Sequence, residues 1–167
     1  GAFPKSKDEN GSTALHIACH HDRLDVLWYL IEAGADLLEQ NAKGYNALHI
    51  AAAVGNHDLL VALTTEMKDL SITAEDGKTA LHLACKYNHL KEARYLCQCG
   101  LDPMALNKSG NNAFHIAAAN GNLSIIKYLI GTWVDPSVKN SHGNTALHIA
   151  CARGRDHVVA FLIEKKM

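Results

Sequence analysis

Eleven histidines and five cysteines are the residues of this 167-residue chain best suited to chemistry. Five of the histidines (His16, His49, His82, His115 and His148) recur once every 33 residues, and a row of imidazoles raises the question of a metal. Zinc holds its ligands at about 2 Å, whereas copies carried on neighbouring packed helices stand about 8 to 10 Å apart. The spacing therefore places one imidazole in each structural unit and assembles no metal site. His20 and His21 are adjacent and lack the i, i+4 spacing that aims two rings at one ion, so they read as exposed or surface-binding residues. Cys97 and Cys99 lie two apart on an expected helix and point to different faces, which disfavours both a disulfide and a metal site. Cys19, Cys85 and Cys151 share one recurring apolar position, two units apart and beyond the roughly 7 Å Cα limit for a disulfide, and are expected to be small core residues. The sequence holds no glycine-rich phosphate loop, no G-x-S-x-G elbow and no H-E-x-x-H, and no carboxylate is placed by motif beside a base. The expectation is a chain without catalytic residues, metal or cofactor.

The elements that carry these residues repeat. The segments GSTALHIAC, GYNALHIAA, GKTALHLAC, GNNAFHIAA and GNTALHIAC begin at Gly11, Gly44, Gly77, Gly110 and Gly143, 33 residues apart without an insertion. Eleven residues after each first glycine stands Asp22, Gly55, Asn88, Gly121 or Gly154, the residue types that enter the left-handed backbone region most readily. A short first helix is therefore expected to begin near Ala14, Ala47, Ala80, Ala113 and Ala146 and to stop at those turn residues. Thr13, Asn46, Thr79, Asn112 and Thr145 stand ready as side-chain caps. The first helix carries Leu or Phe and then Ile or Leu at recurring core positions, Ile17 and Ile50 among the latter. A second helix repeats Leu27, Leu60, Ala93, Ile126 and Val159, each followed three residues on by a leucine, which is helical spacing. Asp36, Asp69, Asp102 and Asp135 then open a polar connection. Trp28 and Val61 share one position of the second helix with Arg94, Lys127 and Ala160, so that position is expected to face solvent, with Trp28 and Val61 forming a small apolar patch.

This unit resembles the ankyrin repeat, a 33-residue β-turn and helix pair with the signature T-P-L-H-x-A. The resemblance runs from about Asp8 to the C-terminus, with Ala in every unit where the family usually has Pro. It implies an all-α repeat solenoid, an ankyrin stack of helix-turn-helix units joined by β-hairpin loops. Residues 1–10 are expected to be a lead-in with a partial hairpin, its Gly1-Ala2 reading as a cloning scar. The repeat domain is expected over residues 11–167, with units starting at 11, 44, 77, 110 and 143. The resemblance also gives the recurring histidine a structural role, tying a helix start to the adjacent hairpin backbone. Val158, Phe161 and Ile163 leave the last helix apolar where a terminal unit should be polar, as in a fragment of a longer array.

For function the resemblance implies partner contacts on the hairpin tips and the exposed ends of the first helices. The residues there differ between units while the core positions barely change. From this set the expected partner-binding residues are Lys43, Tyr45, Val54, Lys78, Lys86, Tyr87, Asn111, Asn120, His142, Asn144 and Arg153, centred over the second to fourth units. Tyr45 and Tyr87 lead because aromatic residues dominate binding hot spots. The lysines around them favour a protein or peptide segment with acidic residues beside an apolar anchor. A net charge of -1, from 16 Lys and Arg against 17 Asp and Glu, supplies no global field toward nucleic acid or anionic lipid. No apolar stretch reaches the roughly 18 residues of a membrane span, and an odd cysteine count at core positions favours a reducing compartment. The chain is expected to be intracellular (cytoplasmic or nuclear), monomeric, and an interaction module that acts as scaffold, adaptor or targeting segment. The alternative is a regulatory segment that acts within its own polypeptide on an attached enzyme, channel or effector.

Overall fold

The computed structural model describes residues 5–132 and 134–166; Gly1, Ala2 and the expected cloning scar lie outside that range. Ten helices follow one another in five pairs: α1 (Ala14–His20) with α2 (Leu24–Glu32), α3 (Ala47–Val54) with α4 (His57–Glu66), α5 (Ala80–Lys86) with α6 (Leu90–Gln98), α7 (Ala113–Asn120) with α8 (Leu123–Ile130), and α9 (Ala146–Ala152) with α10 (Asp156–Glu164). Each first helix starts at its expected alanine. Each stops at a positive-φ residue, with φ of 56° at Asp22, 81° at Gly55, 65° at Asn88, 79° at Gly121 and 62° at Gly154.

Within each pair the two helices pack together, and each first helix packs on the first helix of the next unit, so packing is between sequence neighbours. One continuous core results. It is floored by fully buried Leu15, Leu48, Leu81 and Phe114 from the first helices and by Leu27, Leu60, Ala93, Ile126, Leu63, Leu96 and Leu129 from the second. Alanines buried on the first helices, such as Ala51, Ala84 and Ala117, let neighbouring helices close up.

Between units the chain forms tight five-residue hairpins. In the second, the Asn41 amide donates to the Tyr45 carbonyl (3.0 Å) and the Gly44 amide to the Asn41 carbonyl (2.8 Å), while Asn41 Oδ1 accepts from the Lys43 and Tyr45 amides. Asp8, Asn107 and Asn140 accept in the same way. The third unit has Ala74 there, and Asp76 Oδ1 accepts from the Lys78 amide instead. Successive tips are joined by one amide-to-carbonyl bond each: Ala42 to Asn10, Glu75 to Lys43, Lys108 to Asp76 and Ser141 to Ser109. A single bond per junction builds no ladder, so no strand occurs among the described residues. The expected aspartates do open the connections, since Asp36, Asp69, Asp102 and Asp135 each accept from the amide two residues on.

Two expectations need correction. Cys19 and Cys85 are fully buried, but Cys151 is exposed, because a following unit covers the first two and none of the described residues packs on the third. Thr145 does not cap a backbone amide; its hydroxyl bonds the ring Nδ1 of His148 at 2.8 Å, as that of Thr13 bonds His16 within a capping box.

Candidate binding groove of the first three repeats

The recurring histidine fixes the hairpin tips against the first helices. His16 Nδ1 accepts from the Thr13 amide (3.1 Å), which leaves the proton on Nε2 to be donated to the Tyr45 carbonyl (2.8 Å). His49, His82 and His115 likewise reach the carbonyls of Lys78, Asn111 and Asn144, each 29 residues further on. All four rings are buried. Burial is the first cause holding the pKa of each below the ordinary imidazole value of 6.5. These rings are neutral structural ties between a helix start and the next hairpin.

Between the tips and the first helices of units one to three lies a groove of about 640 Å³. Its apolar surface comes from Ile17, Ile50, Ala53 and Val54, its aromatic walls are Tyr45 and Tyr87, and Asp8, Asn10 and Lys43 also line it. Tyr45 is half-buried and stacks on His49 with ring centroids 5.8 Å apart and 18° between planes. Tyr87 is 49% exposed at the end of α5. Lys86 Nζ lies 4.7 Å from the Tyr87 ring centroid and donates to its hydroxyl (3.1 Å). At the same tips, Lys43, Tyr45, Glu75, Asp76 and Lys108 line a second, mixed-charge hollow.

The groove brings together Lys43, Tyr45, Val54 and Tyr87 of the expected residues, with Lys86 beside Tyr87. Lys78 is held by the carboxylate of Asp76 in an ion pair, which removes it from the local positive charge. Asn111 accepts from the Asn140 side chain (2.8 Å), and the Asn120 side chain donates back to the Ile116 carbonyl (2.8 Å). His142 and Arg153 are exposed and Asn144 is half-buried, all outside the groove. The fourth and fifth units thus add no wall to it.

Ile17 and Ile50 were assigned to the core from their recurrence, yet Ile17 is 44% exposed and Ile50 half-buried, whereas Leu83 and Ile116 at the same position are buried. Nothing in the residue type separates these copies. The sequence does contain an unread signal at Asn56, His89, Asn122 and Arg155, the polar residue after each turn. Its side chain crosses to the preceding unit: His89 Nε2 to the Ala53 carbonyl (3.0 Å), Asn122 Nδ2 to the Cys85 and Lys86 carbonyls (2.7 and 3.0 Å), Arg155 Nε to the Ala119 carbonyl (3.0 Å), and Asn56 to Asp22. The His89 bond holds the end of α3 at Ala53, which lines the groove. Trp28 and Val61 are 39% and 38% exposed, as expected for a solvent-facing position of the second helix.

No group of three or more metal-ligating side chains occurs among the described residues, and no described helix is long and apolar enough to cross a membrane. His20 and His21 are exposed and meet edge to face, 5.2 Å between centroids. No curated protein matches the chain. A family profile described as ankyrin repeats in three copies matches residues 1–74, 48–139 and 99–167, which together span it. Repeats of that kind are in general protein–protein interaction modules and typically not catalytic. With five 33-residue helix pairs, their turn residues and their histidine ties all in that pattern, the chain belongs to the ankyrin repeat family.

Proposed function

We propose that the chain binds a segment of a partner protein in the groove of its first three repeats, and that it does so as an intracellular interaction module. The observation that carries this reading is the groove itself, in which apolar and aromatic side chains are left open beside tips fixed by buried histidines. An apolar anchor of the partner fits over Ile17, Ile50 and Val54 between Tyr45 and Tyr87, and acidic residues beside it meet Lys43, Lys86 and Lys108. Such charges act mainly on association rate and specificity. Arg153, His142, Asn111, Asn120 and Asn144 lie further along the tips and helix ends and would meet only a longer segment. Five unpaired thiols fit a reducing compartment.

The test compares partners retained by the wild-type chain with those retained by Tyr45→Ala, Tyr87→Ala and Trp28→Ala, identified by mass spectrometry and then titrated by calorimetry. Each tyrosine substitution should cost roughly 1 to 3 kcal/mol of binding, with the helical circular dichroism unchanged, whereas Trp28→Ala should be neutral. Wild-type affinity in both tyrosine variants would refute the groove and favour the outer patch. Lys43→Glu with Lys86→Glu should weaken binding most at low salt, where screening is least.

A further inference from the structure

The connections that follow the second helices do not all leave in the same way. After α2 and α6 the chain turns back through Gly34 and Gly100, at φ of 81° and 94°. The next amides then return to their helices, Ala35 to the Leu30 carbonyl (2.9 Å) and Leu101 to the Leu96 carbonyl (3.1 Å). The second unit has Met67 at the glycine position, and the chain leaves α4 extended there, with φ of -87° and ψ of 132°. Between the connection after α4 and the one after α6 lies a hollow of about 410 Å³. Met67, Leu70, Leu101 and Leu106 give it apolar surface, and Lys68, Asp69 and Asp102 bring charge to it. It shares no lining residue with the groove.

Leu106 is 57% exposed, although the same position is polar in the other units, as Lys7, Gln40, Thr73 and Lys139. Lys7 Nζ and Gln40 Nε2 each donate to the carbonyl at that position of the next unit, Lys7 to Gln40 (3.0 Å) and Gln40 to Thr73 (2.9 Å). Thr73 has a shorter side chain and makes no such bond, so the Leu106 carbonyl has no donor among the described residues. Lys7 also pairs with Glu39, so one junction already seats a cation on this edge between a carbonyl and a carboxylate. At the hollow the carboxylates are those of Asp69 and Asp102. Each gives one oxygen to a backbone amide, of Ser71 and Met104 (both 2.8 Å). Bonds from the Ser71 hydroxyl and amide hold the Asp69 carboxyl below the usual carboxylate range. Two carboxylates against the single ammonium of Lys68 leave the hollow with a negative balance.

We propose that this hollow is a second docking site, for a segment of a partner protein in which an apolar side chain stands next to an arginine or lysine. The apolar side chain packs on Leu106 and Leu70. The cation donates to the Leu106 carbonyl, with Asp69 and Asp102 supplying the opposite charge, as the Gln40 carbonyl and Glu39 do for Lys7. The volume falls in the range of ligand pockets, in which an apolar lining carries a few polar groups that fix orientation. The groove, with Lys43 and Lys86 beside its apolar surface, selects the opposite sign of charge, so the two sites sort different segments.

Amide NMR spectra of the isotope-labelled whole chain test this, titrated with acetyl-Arg-Leu-Arg-amide, acetyl-Gly-Leu-Gly-amide and acetyl-Glu-Leu-Glu-amide. Peptide runs from about 10 µM to about 10 mM, a range that reports dissociation constants in that span. The arginine peptide should shift the amides of Ser71, Thr73, Ala105 and Leu106, and the glutamate peptide should bind there at least about threefold more weakly, the effect of surface charge contacts. Asp69→Asn with Asp102→Asn keeps the oxygens that accept from Ser71 and Met104, and should bring the three peptides to equal affinity. Leu106→Gln, which places the Gln40 residue type at an exposed position, should weaken the arginine peptide roughly fivefold. Tyr45→Ala with Tyr87→Ala should bind it as the wild type does, which separates this site from the groove. No shift at those four amides at the highest concentration overturns the proposal. So does a glutamate peptide that binds as tightly as the arginine one, wild-type affinity in Leu106→Gln, an unchanged charge preference in the double asparagine variant, or loss of binding in the tyrosine variant.

Discussion

Asn46 is fully buried, and its Nδ2 reaches no acceptor. Its Oδ1 accepts from the His49 amide (3.1 Å) but also stands 2.6 Å from His49 Nδ1. In the Thr units that ring nitrogen receives a donor instead, since Thr79 Oγ1 lies 2.9 Å from His82 Nδ1 and can direct its proton there. Asparagine thus supplies the better amide cap and the poorer histidine partner. An unsatisfied buried donor costs about 1 to 3 kcal/mol, so Asn46→Thr should stabilise the chain by roughly 1 kcal/mol despite a weaker cap. At Asn112 the Nδ2 has the Met104 sulfur at 3.6 Å, and Asn112→Thr should gain less. Urea unfolding of the two variants decides the matter; equal shifts, or a loss at Asn46, would show that the amide cap outweighs the orphaned donor.

The helix pair depends on the turn between its helices, and the turn is clamped from the next unit. Gly121 has φ of 79°, and a Cβ there would come within 3.2 Å of Arg155 Cδ and 3.3 Å of His157 Cε1. Those two side chains bond the Ala119 and Gly121 carbonyls at 3.0 and 2.7 Å. Gly121→Val therefore meets both a backbone penalty of about 1 to 2 kcal/mol for a β-branched residue at positive φ and displacement of the clamp. Gly154 has φ of 62° with nothing within 4 Å of its Cβ position, so Gly154→Val should meet the backbone penalty alone. Gly121→Asn should be milder than Gly121→Val, because Asn88 and Asp22 already occupy this turn at positive φ. Thermal melts should order the three variants that way. Equal losses for both valine substitutions would mean the clamp contributes nothing.

Across the whole molecule the four buried histidines make stability depend on pH. Burial penalises the charged ring in the folded chain and holds each pKa below 6.5. The charges near them act in both directions: Lys7 opposes and Glu39 favours protonation of His16, Asp76 favours it at His49 and His82, His82 opposes it at His49, and Lys78 opposes it at His82. As pH falls through about 6.5 the unfolded chain takes up these protons first, so this stability is present above that value and lost below it. The melting midpoint at pH 5 should lie at least about 5 °C below that at pH 7.5. His82→Gln should start lower at neutral pH and show a shallower decline. A flat wild-type profile would mean the rings protonate in place.

The period, the helix starts, the left-handed turns and the outward position of Trp28 and Val61 are all legible in the order of amino acids. Each of these rests on a local preference: glycine, Asn or Asp at positive φ, a capping side chain before the first turn, a leucine stripe at helical spacing. The same order also makes the histidine role legible, through the family resemblance. Which copies of one residue are covered is set by the stacking of the units. Cys19 and Cys151, His115 and His148, and Ala47 and Ala14 are alike in their local sequence, yet one of each pair is buried and the other exposed. In a stack each unit's face is covered by its neighbour, and a repeat motif carries no information about whether a neighbour is there. The groove lies over the first to third repeats, where Ile17 and Ile50 are left more open than Leu83 and Ile116 at the same position, and recurrence of one residue type could not show that difference. Lys78 left the expected basic surface through its own hairpin partner Asp76. That pairing depends on where the tip backbone aims two side chains, and a list of variable tip residues cannot show it.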